Sequence, residues 1–330
     1  MQQTEDGQSC VPAFNSFNME EDSTRVVTSE VTLPIINAEG ANDGIERETL
    51  FMFSCPPHLL PKKSKRSNTE TLEYDSDGNI VVHRRKEKEV EGTEMHLRIF
   101  QCKSSTVEEV GRQVWRSAMY LADFFLSDGI DIEGETLFEI GCGCGLTAIA
   151  AGMCDVERVV ASDLEQNIAL AKKNVDVNSD LLHGRRSVQV IPFDVIKDIG
   201  CVPEELIGAS LVYGTDVVYT SIFDDDELSD AIVNLMEMVL ITYPKIERRR
   251  FLFTVEKRFI FTIKDLRTVA PAYEYFMAKM KEKLLEEGGQ VREMYNVKVE
   301  VMNGDKITQI FCYERSPEMV LVMIDAKLKQ

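Results

Sequence analysis

The sequence predicts a doubly wound α/β fold: a mostly parallel seven-stranded sheet, covered by helices on both faces, that finishes in an antiparallel hairpin. Three observations predict it. From about residue 107 short apolar runs alternate with helical stretches, which places crossover helices on both sides of a parallel sheet. Five of these runs, "TLFEIG", "RVVASD", "SVQVIPFD", "ASLVYGTD" and "RFLFTVEK", end on a polar or glycine residue. Near the end the alternation stops, and "YNVKVEVMNGDKITQIFCYE" reads as two strands joined by an Asn-Gly turn.

The elements follow in order. Among the first fifty residues ten acids stand against only Arg25 and Arg47. With no sustained periodicity, residues 1–68 are expected to be a largely disordered acidic extension. Within it "RVVTSEVTL" could form a short strand, and Lys62, Lys63, Lys65 and Arg66 make a basic linker that reads equally as a nuclear address or a solvated connection. Residues 69–106 are a lead-in in which "TLEYDSDGNIVVHRRK" suggests a hairpin. Residues 107–330 form the main domain, and a folded unit is expected to begin near Thr69. Its first helix carries Val114, Ala118, Leu121, Ala122 and Phe125 at helical spacing. Further helices are expected over Glu165–Asn178, Asp226–Tyr243 and Val269–Glu287, the second with Leu228, Ala231, Ile232, Leu235, Met236, Val239 and Leu240 on one face.

Composition narrows the function. A formal net charge of −19 over 330 residues disfavours binding to a phosphate backbone, which needs a basic surface. It suits a basic protein partner, or serves solubility alone. The late apolar run "MVLVMI" is too short to span a bilayer, and the eight cysteines, scattered apart from Cys142 and Cys144, suggest free thiols in a reducing nucleus or cytoplasm.

The stretch "EIGCGCGL" at Glu139–Leu146 is the first candidate site. Cys142 and Cys144 lack the spacing of a zinc clip, and His58, His83, His96 and His183 are scattered, so no metal site is expected. A phosphate loop would continue in Gly-Lys-Ser/Thr, and a dinucleotide loop would need glycine where Leu146 stands. What remains is a sharp turn, Gly141-x-Gly143-x-Gly145, that lets backbone approach a ligand closely. Glu139 precedes it and offers negative charge to an α-ammonium. Asp163 ends the second strand, where a carboxylate suits a ribose diol, and Asp194 ends the third, placed for an exocyclic adenine amine. A pocket for amine, ribose and adenine without a phosphate cradle fits S-adenosylmethionine. Each acid alone could equally be a turn cap. The whole pattern is the outline of a class I, Rossmann-like methyltransferase.

The fourth strand runs into "GTDVVYTSIFDDDELSDA", with Asp216 and Tyr219 as Asp-x-x-Tyr. Together with "VEEVGRQVWRSAMYLADFF" and "VEKRFIFTIKDL", this resembles the seven-β-strand protein lysine methyltransferases of the methyltransferase-like group, over about Asp75 to Arg315. That resemblance implies S-adenosylmethionine contacts from Trp115, Gly141, Gly143 and Asp163, with Thr215 also lining the pocket. It implies that Asp216 and Tyr219 serve the acceptor lysine: Asp216 orients the amine and Tyr219 walls its stem. It departs at Val195, where relatives commonly carry tryptophan beside adenine. The group modifies nonhistone proteins, so the expected partner is a lysine-bearing protein, such as a nuclear nucleic-acid-binding protein or a chaperone, met by a monomer. Alternatives are a methyltransferase acting on a small molecule or RNA, and an adapter that keeps the fold without catalysis. Asp224, Asp225, Asp226 and Glu227 are expected to open the next helix. Glu256 and Arg258 are expected near the acceptor mouth, or in an ion pair.

Overall fold

A computed structural model describes residues 26–28, 46–59, 93–182, 188–218, 226–262 and 266–330. The expected hairpin at 71–86, the basic cluster at 62–66, Asp224, Asp225 and Tyr219 lie outside the described residues.

The strands, in chain order, are β1 (Val26–Thr28), β2 (Glu46–Cys55), β3 (Thr93–Cys102), β4 (Ser104–Thr106), β5 (Thr136–Ile140), β6 (Arg158–Asp163), β7 (Val188–Pro192), β8 (Leu211–Thr215), β9 (Arg248–Glu256), β10 (Ile260–Thr262), β11 (Arg267–Val269), β12 (Tyr295–Asn303) and β13 (Met319–Leu328). The helices are α1 (Arg116–Leu126), α2 (Leu146–Met153), α3 (Glu165–Val177), α4 (Glu204–Gly208), α5 (Glu227–Thr242), α6 (Pro271–Leu285) and α7 (Gln290–Met294). Seven strands form the central sheet in the order β12-β13-β9-β8-β5-β6-β7. The pairs from β7 to β9 are parallel, and β13 runs antiparallel to both β9 and β12. The predicted architecture is observed, and the strand order reverses between β5 and β8, where open sheets of this kind place their ligands.

Alternate residues of each strand feed opposite layers. Leu137, Tyr213, Leu252 and Leu321 face the core built with α1, α2 and α3. Phe138, Val212, Phe251, Phe253 and Val322 face the core built with α5 and α6. Both layers are apolar, so these strands read as near-continuous hydrophobic runs. The helices begin where local chemistry favours it: Glu227 and Asp230 lie in the first turn of α5, and Pro271 opens α6.

Two expectations change. The second strand of the terminal pair is not Lys306–Glu314. After Asn303 the chain makes a short 3-10 turn, Gly304–Lys306, and pairing resumes only at Met319. The intervening segment is drawn away by the buried carboxylate of Asp123 on α1. That carboxylate accepts from the Ile310 and Phe311 N–H groups at 2.9 and 2.8 Å, the Tyr313 hydroxyl at 3.0 Å and the Arg315 guanidinium at 2.5 Å.

The second change lies in the acidic extension, where residues 46–55 are a strand rather than disordered chain. β2 pairs with β3 along its whole length. Its far side meets residues 310–312: Ser54 N–H donates to Ile310 O, Cys312 N–H donates to Met52 O, and the Phe53 and Phe311 rings lie 5.1 Å apart. Phe51, Phe53 and Cys55 are buried. Burial of two phenylalanines alone contributes about 3–6 kcal/mol. A chain starting at residue 60 is therefore expected to melt roughly 6–20 °C lower than the full chain. An unchanged melting curve would show that β2 adds nothing to the core.

Candidate functional site

The glycine turn leaves β5 at Ile140, and Gly141, Gly143 and Gly145 all take left-handed backbone, with φ of 67°, 51° and 80°. The conformation alone favours glycine. At two positions space demands it too: a Cβ at Gly141 would lie 2.8 Å from Val217 Cγ1, and one at Gly143 would lie 2.8 Å from Gly111 O. The turn thus sits between residue 217, just past the end of β8, and the segment leading to α1. In that segment the Trp115 indole N–H donates to Val110 O at 3.1 Å, one residue before the Gly111 that meets Gly143. Cys142 and Cys144 are buried thiols whose pKa values burial pushes up, which makes them inert packing groups.

Asp163 ends β6 and holds the turn. Its Oδ2 accepts the Gly143 N–H at 2.6 Å, and its Oδ1 accepts from Leu164 N–H and Asn167 Nδ2, both at 2.7 Å. Burial pushes its pKa up, and the bonds from Asn167, Gly143 and Leu164 oppose that. An ionised carboxylate has about four lone-pair sites, so three bonds leave Oδ2 room for one more. The sequence reading missed Asn167, which fixes this carboxylate. It also missed Leu164, whose half-exposed side chain follows directly after Asp163.

Asp194 stands past β7 as expected, but its carboxylate serves its own turn. Oδ1 accepts from Ile196 and Lys197 N–H, and Oδ2 pairs with Lys197 Nζ at 3.0 Å. Burial tends to raise its pKa, and the Lys197 bond with the two turn N–H groups brings the net value below normal. Val195 is buried in the layer that contains α5, and Thr215 ends β8, half-buried, opposite Thr254.

Glu139 is fully buried. Its Oε2 accepts from the Tyr213 hydroxyl at 3.3 Å, and its Oε1 has no hydrogen-bond partner among the described residues. Burial pushes its pKa up to about 8, the Tyr213 bond opposes this, and the Asp163 charge adds to it. In the folded protein Glu139 is thus mostly protonated at neutral pH. The sign of its stability effect follows. A folded pKa above the unfolded 4.5 means that the native state holds an extra proton between the two values. The associated stability is complete below about pH 4.5 and is lost as pH rises towards about 8. Glu139→Gln keeps the shape and cannot ionise. In urea unfolding its stability relative to wild type should rise by roughly 3–5 kcal/mol from about pH 5 to about pH 8. An equal difference at both pH values would contradict the buried neutral acid.

Asp216 follows β8 with a left-handed φ of 55°, a conformation that aspartate and asparagine tolerate better than other side chains. Its backbone N–H donates to Thr254 O, and its largely buried carboxylate pairs with Arg258 Nη2 at 3.2 Å. Of the two readings for Glu256 and Arg258, the ion pair is observed, though not between them. Glu256 pairs with Arg116 at 3.6 Å, tying the end of β9 to the residue after Trp115.

The frame behind the site was also not predicted. On α3, Asn174 accepts Phe100 N–H and donates to Phe100 O and Cys144 O, while Asn178 does the same for Arg98 N–H and O. These amides pair the edge of β3 as a strand would and fasten the lead-in to the glycine turn. Their four-residue spacing on one helix face was the available signal.

The cofactor expected from the sequence fits these residues. The turn excludes side chains from its floor, Asp163 retains one acceptor site, and Glu139 keeps an unbonded oxygen on the strand that feeds the turn.

A family profile described as lysine methyltransferase matches residues 94–266. Methyltransferase-like protein 22 of Mus musculus is 31% identical over 237 residues, covering 68% of this chain and 58% of the relative. Its Homo sapiens counterpart is 28% identical over 241 residues, covering 70% and 58%. The chain therefore spans under two thirds of the length of these relatives. Electron transfer flavoprotein beta subunit lysine methyltransferase of Danio rerio is 26% identical over 119 residues, covering 36% and 40%. Among solved structures, magnesium protoporphyrin IX methyltransferase from Synechocystis aligns with a TM-score of 0.37 at 13% identity, over 65% of this chain and 82% of that one.

Proposed function

The chain belongs to the lysine methyltransferase family, and from that premise we propose that it methylates a lysine side chain of a nonhistone protein, using S-adenosylmethionine. The observation that carries the reading is the contact between the glycine turn and the end of β8, where Gly141 meets Val217. That contact sets the Asp163-held turn beside residue 217, the neighbour of Asp216 in the chain, which supports the reading that cofactor and acceptor groups share one site.

Bound S-adenosylmethionine supplies a methyl group on a positive sulfonium. The protein must then present a neutral amine to it, because an ammonium has no lone pair. A free lysine has a pKa near 10.4, so only about one in two thousand is neutral at pH 7. Asp216 draws in the ammonium and orients it. As the proton leaves to water, the carboxylate keeps a hydrogen bond to the amine and holds its lone pair in line. Tyr219, three residues on, walls the aliphatic stem. Before the substrate arrives, Arg258 occupies the Asp216 carboxylate. Its guanidinium is half-exposed, so an entering ammonium can take its place on the same carboxylate and leave that carboxylate paired with a cation. Gly143, Asp163 and Trp115 would hold the cofactor end, with the buried Glu139 carboxyl on the strand that feeds the turn.

The acidic chain, at −19, favours a basic target segment, of which a nucleic-acid-binding protein or a chaperone would supply many. Free thiols at the seven described cysteines support a nuclear or cytoplasmic setting. The test is transfer of tritiated methyl from S-adenosylmethionine into a soluble lysate. Label should vanish on protease treatment and survive nuclease. Label removed by nuclease would make the substrate a nucleic acid, and label in neither fraction would leave the adapter reading.

A further inference from the structure

Directly after Arg258 the chain leaves the central sheet and forms a hairpin of its own, in which β10 and β11 pair through Ile260–Val269, Phe261–Thr268 and Thr262–Arg267. Its apolar side chains point into solvent. Phe259 is 49% exposed, Ile260 53%, Phe261 63% and Leu266 75%. Seven large apolar side chains stand exposed among the described residues, and this one short hairpin holds four of them. Leu266 also takes left-handed backbone, with φ of 48°, a strained conformation for a bulky residue. Folding alone does not account for the arrangement. Among its described residues the hairpin is buried at its base, at Val269 and the adjoining Ala270, and a two-stranded hairpin is at best marginally stable by itself.

Concentrated exposed apolar surface marks an interaction site, and this patch has a defined neighbour. Phe259 adjoins Arg258, whose guanidinium rests on the Asp216 carboxylate. We propose that the hairpin is the docking finger for the protein substrate, and that it takes an apolar side chain lying close in the target's sequence to the acceptor lysine. The inference rests on the lysine methyltransferase reading and adds its specificity element. The occupant follows from continuity and charge. Arg258 touches the Asp216 carboxylate and Phe259 and Phe261 follow it within three residues, so a ligand whose amine replaces the guanidinium would have these rings as near neighbours. The strongly acidic protein favours a target whose remaining surface is basic. Recognition would then combine one apolar anchor with one cation, a pairing absent from a free lysine and from a polar basic tail.

The test uses the full chain with Phe259 and Phe261 both changed to serine, alongside a control with both changed to leucine. These are surface positions, so melting temperature and calorimetric affinity for S-adenosylhomocysteine should match wild type within twofold. The acceptor probe is the soluble lysate protein, titrated by dilution with tritiated S-adenosylmethionine in excess, and read from the labelled band. The serine variant should need at least tenfold more lysate protein for half-maximal labelling, with its maximal rate within threefold of wild type. The leucine control should stay close to wild type. Equal half-saturation for wild type and serine variant would overturn the docking finger and leave the methyltransferase reading standing. Failure of wild type to label any protein would overturn both. Sedimentation of wild type as a dimer that the serine variant breaks would assign the patch to a second copy of this chain, and the proposal would fall.

Discussion

Asp216→Ala should lower methyl transfer into protein by at least about a hundredfold, the low end of what a positioned proton-handling group contributes, and leave affinity for S-adenosylhomocysteine within a few fold. The separation is expected because Asp216 follows β8, beyond the glycine turn, and its carboxylate pairs with Arg258. Two side effects must be told apart from it. Alanine at a φ of 55° costs about 1–2 kcal/mol of backbone strain. Asp216→Asn avoids that, since asparagine tolerates the left-handed region, and it removes the charge alone. The second effect, loss of a partner for the half-exposed Arg258, costs little. If the asparagine variant melts like wild type and still transfers methyl at the wild-type rate, Asp216 does not serve the acceptor. Under the proposed acceptor role Tyr219→Phe should do less harm than Tyr219→Ala, because that role calls on the ring and not on the hydroxyl.

Asp163→Ala should lower affinity for S-adenosylhomocysteine at least tenfold, a change of about 1.4 kcal/mol, and should destabilise the fold as well. The carboxylate accepts three hydrogen bonds, two of them from backbone N–H groups and one of those from the glycine turn itself. Bonds to a charged group contribute about 1.5–3 kcal/mol each, so the stability loss should reach several kcal/mol. The turn would lose its hold on Gly143, and the ligand would lose the remaining acceptor site on Oδ2. Calorimetry on the folded fraction reads the affinity and a melting curve reads the fold. Undiminished binding by the folded variant would remove Asp163 from the cofactor site.

The central sheet was legible because each of its parallel strands is a short apolar run with a polar end, and that pattern depends only on local sequence. β2 was not legible. Phe51, Phe53 and Cys55 point inward, but Leu50 and Met52 lie on the outer face, so the two-residue alternation is blurred. The terminal hairpin was misread because Asn303-Gly304 has the composition of a tight turn, while the path of the chain is decided by Asp123, nearly two hundred residues away. The positions of Glu139, Asp163, Asp194 and Asp216 followed from strand ends. Their chemical states did not, because protonation depends on burial and on partners. Burial raises the Glu139 pKa to about 8, whereas the turn N–H groups and Lys197 bring that of Asp194 below its ordinary value. The Arg258–Asp216 pairing and the bonds of Asn174 to Phe100 and Cys144 join distant segments, which local sequence does not encode.

The most direct test of the central claim is the chemical identity of the methylated residue. Protein labelled from tritiated S-adenosylmethionine by the full chain would be hydrolysed in acid and its amino acids separated. The account predicts that the label co-elutes with methylated lysine and disappears with Asp216→Asn. Label on another amino acid, or methyl-lysine that persists in that variant, would contradict it.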